Sequence, residues 1–457
     1  RRAEHHLDGT GGDDDAVLID RQRVRHEVGD LSLELLARPE QVAETGEHHG
    51  AGENPASDCL HPPSIPRRGY EPADALAYAG EVTSPTAFPF ERLSRRPDVE
   101  GPDLVASDAA DRLILDESAD LRAGAPTGSI VAIGDTHGAL ALAAAHDGAH
   151  GVRVQQDGLA GERSISRNAQ ELGLSDRIRV VALDADAVRD ARVVLLRLPR
   201  SLDALRDIAG LVAAHASSDV VVIAGGRLKH MALAMNDVLR EHFGRVDVSH
   251  ARQKSRVLFA REPRDGHDPV PAEGREGELE IRAFGGAFAG ARLDHGTRLL
   301  LAHLPSHLDV GTADDPLIDF ACGTGAVAAH LALRHPTAAV YASDQSAAAV
   351  ASARATAAAN GVAERVEVVR DDLLASRAAA SASFIALNPP FHSGAALTER
   401  LAFRLFADAA RVLRPGGELW CVWNSGMRYR GDLERLVGPT RQVARDAKFT
   451  VTVSTRR

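Results

Sequence analysis

Short apolar runs separated by polar, helix-prone stretches repeat along most of this chain. From about residue 97 onward the pattern is regular. The first strong run, Ser129-Ile130-Val131-Ala132-Ile133, enters a glycine-bearing turn at Gly134-Asp135-Thr136-His137-Gly138 and then an Ala/Leu-rich stretch. Further apolar runs at 178–183, 193–198 and 220–224 predict strands with helices between them, and residues from Asp111 begin a helix. After residue 278 the alternation starts again, with strands expected at 317–321, 339–343, 366–369, 384–387, 418–423 and 449–453. A helix is expected over 397–413, stopped by Arg414-Pro415-Gly416-Gly417. Continuous apolar strands alternating with helices predict a mostly parallel sheet covered by helices on both faces.

The alternation occurs twice, and the two passes share a register. Leu239-Arg240-Glu241-His242-Phe243-Gly244 resembles Leu433-Glu434-Arg435-Leu436-Val437-Gly438. Lys254 and Lys448 follow ten residues after the respective glycines, and the chain has only one other lysine, Lys229. Self-similarity of this kind is the mark of a duplicated unit. The expected organisation is a disordered tail or dispensable extension over 1–90, a first α/β domain over 91–262, a Pro/Gly/acid-rich linker over 263–278, and a second α/β domain over 279–457. The tail carries His pairs, an Asp run and Pro-rich pieces with no hydrophobic period, too little apolar surface to offset ordering entropy.

Composition narrows the function classes. A hydrophobic share of 44% supports real cores, and no apolar run reaches membrane-spanning length. Cys59, Cys322 and Cys421 are too few and too scattered for a disulfide framework or a metal cluster. A cytoplasmic protein without a metal is therefore expected. The net charge of −11 argues against a chain coated in nucleic-acid-binding surface. Charge is uneven, however: residues 397–457 hold twelve Arg or Lys against six Asp or Glu, leaving room for a local basic face.

The chemistry concentrates in the second unit. Phe384-Ile385-Ala386-Leu387 runs into Asn388-Pro389-Pro390-Phe391-His392. Two prolines cannot continue a strand, so it must end at Asn388, with an amide side chain at the carboxyl edge of the sheet. Open α/β sheets bind ligands at that edge. An amide and carbonyl oxygens beside an aromatic face suit a planar ring that carries an amino group. Upstream, Asp319-Phe320-Ala321-Cys322-Gly323-Thr324-Gly325 forms a glycine turn that lets backbone approach a ligand. Its spacing lacks the full G-x-G-x-x-G of dinucleotide sites. Asp344, nineteen residues after Gly325, is placed to accept bonds from ribose hydroxyls, or else to cap the following helix. Asp371-Asp372 ends the third strand; one of them, Asp372 by preference, is placed to accept from an adenine amino group, or else both are solvent-facing loop acids.

Taken in order, these motifs resemble the class I S-adenosylmethionine-dependent methyltransferases that act on exocyclic or amide nitrogen. Asn388-Pro389-Pro390-Phe391-His392 is similar to the bacterial ribosomal RNA guanine-N2 methyltransferases. Ala251-Arg252-Gln253-Lys254-Ser255-Arg256-Val257 is nearest to their large-subunit branch. The resemblance spans residue 97 to the end, including residues 286–301 and 424–429. It implies two tandem Rossmann-like methyltransferase domains with seven-stranded sheets, the first copy degenerate. It also implies S-adenosylmethionine as cofactor, held by Asp319, Ala321, Gly323, Gly325, Asp344, Asp371, Asp372 and Asn388. Catalysis falls to Asn388, Pro389, Pro390 and Phe391, with ribosomal RNA as partner to a monomer. His392 is either a proton acceptor or a structural loop residue.

Two departures stand out. Ala321 occupies the place of the family's first glycine and is expected to keep ordinary backbone angles. Asn424-Ser425-Gly426 replaces an Asn-Arg-His. In the first copy Ala132, Thr136 and Arg197-Leu198-Pro199-Arg200 stand where Asp319, Gly323 and Asn-Pro-Pro-Phe stand in the second. Arg197 and Arg200, with Arg400, Arg404, Arg411, Arg414, Arg428 and Arg430, are candidate phosphate contacts or ordinary surface charge. The motifs alone leave open a protein glutamine or DNA adenine N-methyltransferase, and a non-catalytic RNA-binding scaffold.

Overall fold

A computed structural model describes residues 87–390 and 395–457. The expected tail over 1–86, Phe391 and His392 lie outside the described residues. Two seven-stranded sheets carry the fold. The first contains β1 (Ile130–Ile133), β2 (Val152–Gln155), β3 (Ile178–Val181), β4 (Val193–Arg197), β5 (Val221–Arg227), β6 (Phe243–Val248) and β7 (Ser255–Pro263). A hairpin follows, β8 (Ala272–Glu276) and β9 (Leu279–Ala283). The second sheet contains β10 (Leu317–Phe320), β11 (Val340–Asp344), β12 (Val366–Arg370), β13 (Ala382–Leu387), β14 (Leu413–Asn424), β15 (Thr440–Arg445) and β16 (Phe449–Thr455). Strand orders are β3-β2-β1-β4-β5-β7-β6 and β12-β11-β10-β13-β14-β16-β15, so the topology is the same twice. In each sheet the first five strands pair in parallel. The last two pair antiparallel.

Burial follows from strand period. Ile130 and Ala132 enter one core and Val131 and Ile133 the other, and helices cover both. Phe384 and Ala386 likewise face one side of the second sheet, and Ile385 and Leu387 the other. Strands buried on both faces read as near-continuous apolar runs, as β1, β4, β10 and β13 do apart from Arg197, Asp319 and Ser383.

Three expectations need correction. The stretch read as a linker contains β8. Leu279, Ile281 and Ala283 alternate inward on β9, and Gly277 at φ +63 turns the chain between the two strands. Backbone amides of Arg282 and Phe284 then bond to Thr356 and Ser352 on the helix Ala347–Ala359, and that of Glu280 to its C-cap Asn360. The tail was expected to reach residue 90, yet Phe88 and Phe90 pack on the first core. Arg414-Pro415-Gly416-Gly417 does stop the helix Ala395–Val412, but it lies within β14 rather than ahead of it. No helix among the described residues is long and apolar enough to cross a membrane.

Candidate active site

The carboxyl ends of β10, β11, β12 and β13 meet around a cavity of about 450 Å³, within the usual size for a small-molecule site. Asp319, Ala321, Gly323, Asp344, Asp371, Asp372, Asn388, Pro389 and Pro390 all line it. Gly325 does not. It caps the helix Ala326–Arg334 at φ +73, and a Cβ there would sit 2.7 Å from that of Ala353. Glycine at 325 serves the turn and the helix contact behind it.

The glycine turn is held from two sides. Asp319 is only 3% exposed and accepts the Ala328 amide at 2.9 Å. Asp344 accepts the Gly323 amide at 3.0 Å and the Ser346 amide at 3.0 Å. It is Ser346, not Asp344, that caps the next helix, taking the Ala349 amide at 3.1 Å. Gly323 stands at φ +54 with no atom within 4 Å of where a Cβ would be, leaving its outer side open to a close-approaching ligand. Ala321 departs from expectation: its φ is +58, in the left-handed region. The turn takes a geometry that glycine adopts freely, and alanine bears the strain.

Burial dominates the acids. It raises the Asp319 carboxyl to about 7, with the Asp344 charge adding to the effect and the Ala328 amide opposing it. Asp344 is raised in the same way, its amide partners Ser346 and Gly323 resisting and Asp157 reinforcing. Asp371 is spent on its own loop, accepting amides of Asp372 at 2.8 Å and Ser376 at 2.7 Å. Asp372 faces the cavity instead, with Arg163 and Arg404 each 3.6 Å away. Burial raises its carboxyl against the pull of those two arginines.

Asn388 is the most informative side chain. Its Nδ2 donates to Thr297 Oγ1 at 2.9 Å and toward Asp294 at 3.3 Å. Asp294 caps the helix His295–Leu301 through the amides of Gly296 and Thr297, and Thr297 donates its hydroxyl hydrogen back to Asp294. A carboxylate only accepts, and that hydroxyl proton is already committed, so the amide nitrogen of Asn388 must face this pair. Its oxygen is then left over: Asn388 Oδ1 is buried with no hydrogen-bond partner among the described residues. A buried acceptor without a donor costs free energy unless a ligand supplies one.

Sequence reading missed Asp294 and Thr297, whose spacing as cap and third helical residue marks a helix start but not its tertiary target. It also missed Asp98 and Asp157 of the first unit, which line the same cavity.

The corresponding edge of the first sheet is built differently. Arg197 follows the same strand position as Asn388, since Leu196 pairs with Ile133 as Leu387 pairs with Phe320. Its guanidinium bonds Asp108 at 2.7 and 2.8 Å and reaches Asp111 at 2.5 Å. Asp108 caps the helix Ala109–Glu117 and Asp111 is its third residue, so the pair repeats the placement of Asp294 and Thr297. Asp135 accepts the amides of Gly138, Leu140 and Ala141. Arg197 is thus an internal ion-pair partner, which corrects its candidacy as a phosphate contact. Arg411 bonds Asp408 and the carbonyls of Leu374 and Arg377, and Arg414 bonds Asp315, while both side chains stay more than one-third exposed.

Comparison with known proteins fits this arrangement. Residues 278–453 match the family model of the methyltransferase small domain, and residues 83–264 match that of the RLMG N-terminal domain. Ribosomal RNA large subunit methyltransferase G of Streptomyces avermitilis is 35% identical over 371 residues, covering 79% of this chain and 95% of that protein. Its counterpart from Pseudomonas aeruginosa is 33% identical over 378 residues, covering 80% and 98%. Among solved structures, the T. thermophilus 16S rRNA N2 G1207 methyltransferase (RsmC), in complex with AdoMet and guanosine, has a TM-score of 0.60 at 21% identity. That alignment covers 77% of this chain and 92% of the other, and it shows the shared fold. The chain belongs to the ribosomal RNA large subunit methyltransferase G family.

Proposed function

We propose that this chain transfers a methyl group from S-adenosylmethionine to the exocyclic N2 amine of a guanine in ribosomal RNA, in the large rather than the small subunit. The observation that carries the reading is the orphaned, buried Oδ1 of Asn388, a residue that lines the cavity together with the strand-end acids. The cavity fits the cofactor: Asp319, Gly323 and Asp344 form a polar cradle at the turn, and Asp372 offers an acceptor at the third strand. S-adenosylmethionine, when bound, supplies the methyl electrophile.

The protein's own part is positional and electrostatic. A guanine amine is a weak nucleophile because its lone pair is delocalised into the ring. Hydrogen bonds from its two N–H groups to Asn388 Oδ1 and the Pro389 carbonyl draw the nitrogen toward a tetrahedral shape and direct the lone pair. Asp294 and Thr297 fix the amide so that oxygen, not nitrogen, faces the base. Pro389 and Pro390 hold the turn rigid, and Phe391 stacks the flipped base. The amine proton leaves to solvent after transfer, so no strong base is needed.

In this reading the second unit is the catalytic domain. The first has lost its site: Arg197 and its two carboxylates fill the place of the amide, and Asp135 occupies the turn amides. Those relatives are named for the large subunit, which supports that subunit as the source of the substrate.

The test is incubation with labelled cofactor and unmodified ribosomal RNA, naked and assembled, followed by nucleoside analysis. N2-methylguanosine is expected; label in adenine or in a protein glutamine would refute the assignment. Asn388→Ala is expected to lower transfer at least about a hundredfold while cofactor binding stays near that of the unaltered protein.

A further inference from the structure

The two halves meet through equivalent loops. Gly158 caps the helix after β2 and Ser346 caps the helix after β11. These two residues form an isolated antiparallel bridge with one another. Around it the backbone bonds are reciprocal: Leu159 N–H donates to Gln345 O and Ala347 N–H donates to Asp157 O, both at 3.0 Å. An internal pseudo-dyad therefore runs through the junction, as in an isologous dimer interface.

The side chains break that symmetry beside the cavity. Asp157 Oδ1 accepts the Ala348 amide at 2.9 Å, so one residue of the first half takes two amides of the helix Ala347–Ala359. Arg370, at the end of β12, donates to the Asp157 carbonyl at 3.0 Å and the Gln345 carbonyl at 3.2 Å. Glu162 of the first half holds that arginine at 2.7 Å. The segment so clamped, Gln345-Ser346, directly follows Asp344, and Ser346 N–H is one of the two amides that position the Asp344 carboxylate. Asp157 and Gly158 also line the cavity.

We infer that Asp157 is a positioning residue for the cofactor site: the first half, though without a site of its own, completes the pocket of the second by fixing the loop that presents Asp344. This rests on the proposed S-adenosylmethionine site. The first half therefore acts on cofactor affinity as well as on any RNA contact. Loss of the Asp157 carboxylate frees the Ala348 amide, leaves the helix start held only by the backbone bond from Ala347, and loosens Ser346, so Asp344 no longer holds its ribose-facing position.

The test measures S-adenosylhomocysteine binding to the full chain by calorimetry without RNA, for the unaltered protein, Asp157→Ala and Asp157→Asn. Asp157→Ala is expected to bind about tenfold more weakly. Asp157→Asn, which keeps an oxygen for the Ala348 amide, is expected to stay within about threefold. In turnover with RNA, the KM for S-adenosylmethionine rises for the alanine variant while kcat at saturating cofactor and the KM for RNA hold. A folded Asp157→Ala that binds as tightly as the unaltered protein overturns the inference. An asparagine variant as weak as the alanine one overturns it too. Should Asp157→Ala fail to fold, Glu162→Gln decides by the same measurements, with a weaker cofactor expected and unchanged affinity refuting. An unaltered protein that does not bind S-adenosylhomocysteine refutes the reading of the pocket itself, before the variants are compared.

Discussion

At the scale of single residues, the site holds a turn whose geometry its residue type does not favour. Ala321 at φ +58 bears left-handed strain of about 1 kcal/mol. Ala321→Gly is expected to raise stability by up to about 1 kcal/mol, read as a higher denaturation midpoint with unchanged slope. A lower midpoint would mean that the alanine methyl packs well enough to outweigh the strain. Asp319 carries a second prediction. Its folded carboxyl titrates near 7 against an ordinary 3.8, because burial disfavours the charge. Between those values the folded chain holds a proton that the unfolded chain has released. The contribution to stability is full below about 3.8 and is lost as pH rises through about 7. Asp319→Asn is expected to flatten the fall in unfolding free energy between about pH 4 and about pH 7. Equal slopes in the two proteins would show that the carboxyl titrates normally. Asp135 in the first half, likewise raised to about 7 by burial, leaves a residual slope in both.

At the scale of elements, what was legible depended on whether a segment's partners were local. β10 and β13 could be read because both faces are buried and their runs are apolar. β2 could not: it reads Val-Arg-Val-Gln, and the buried Arg153 at its centre is tolerated only because its guanidinium bonds the carbonyls of Gly128, Asp186 and Arg189. Nothing near Arg153 in sequence announces those acceptors. Asn388 was legible because two prolines force the strand to end beside it. The pair that orients it was not, since Asp294 and Thr297 lie 94 and 91 residues away. The first half teaches the same lesson in reverse. Reading Arg197 as surface charge was reasonable until the helix Ala109–Glu117 brought two carboxylates to it. Arg197→Ala would leave Asp108 and the nearly buried Asp111 unpaired. A loss of about 3 kcal/mol in stability is expected, with cofactor affinity unchanged. A loss under about 1 kcal/mol would mean that the triad is solvated after all.

At the scale of the whole molecule, an overall charge of −11 has to coexist with a polyanionic substrate. The structure narrows where that contact can form. Arg411 and Arg414 are engaged by neighbouring carbonyls and carboxylates, and Arg430 is paired with Glu434. Arg428 is different: it is exposed, it sits just past the carboxyl end of β14, and β14 pairs with the strand that delivers Asn388. Under the proposed function, a cation at that edge would meet the backbone of a strand whose base turns into the pocket. Arg428→Ala is therefore expected to weaken RNA binding by severalfold and to reduce the dependence of log affinity on log salt by about 0.7, the value for one lost phosphate contact on single-stranded nucleic acid. S-adenosylhomocysteine affinity and the unfolding midpoint should not move, because Arg428 touches neither the cradle nor the core. Arg411→Ala makes the opposite pattern: its midpoint falls as the carbonyls of Leu374 and Arg377 lose their donor, and the salt slope stays. If Arg428→Ala leaves the salt slope untouched, the RNA backbone does not cross this edge, and the basic balance of residues 397–457 serves the fold rather than the substrate.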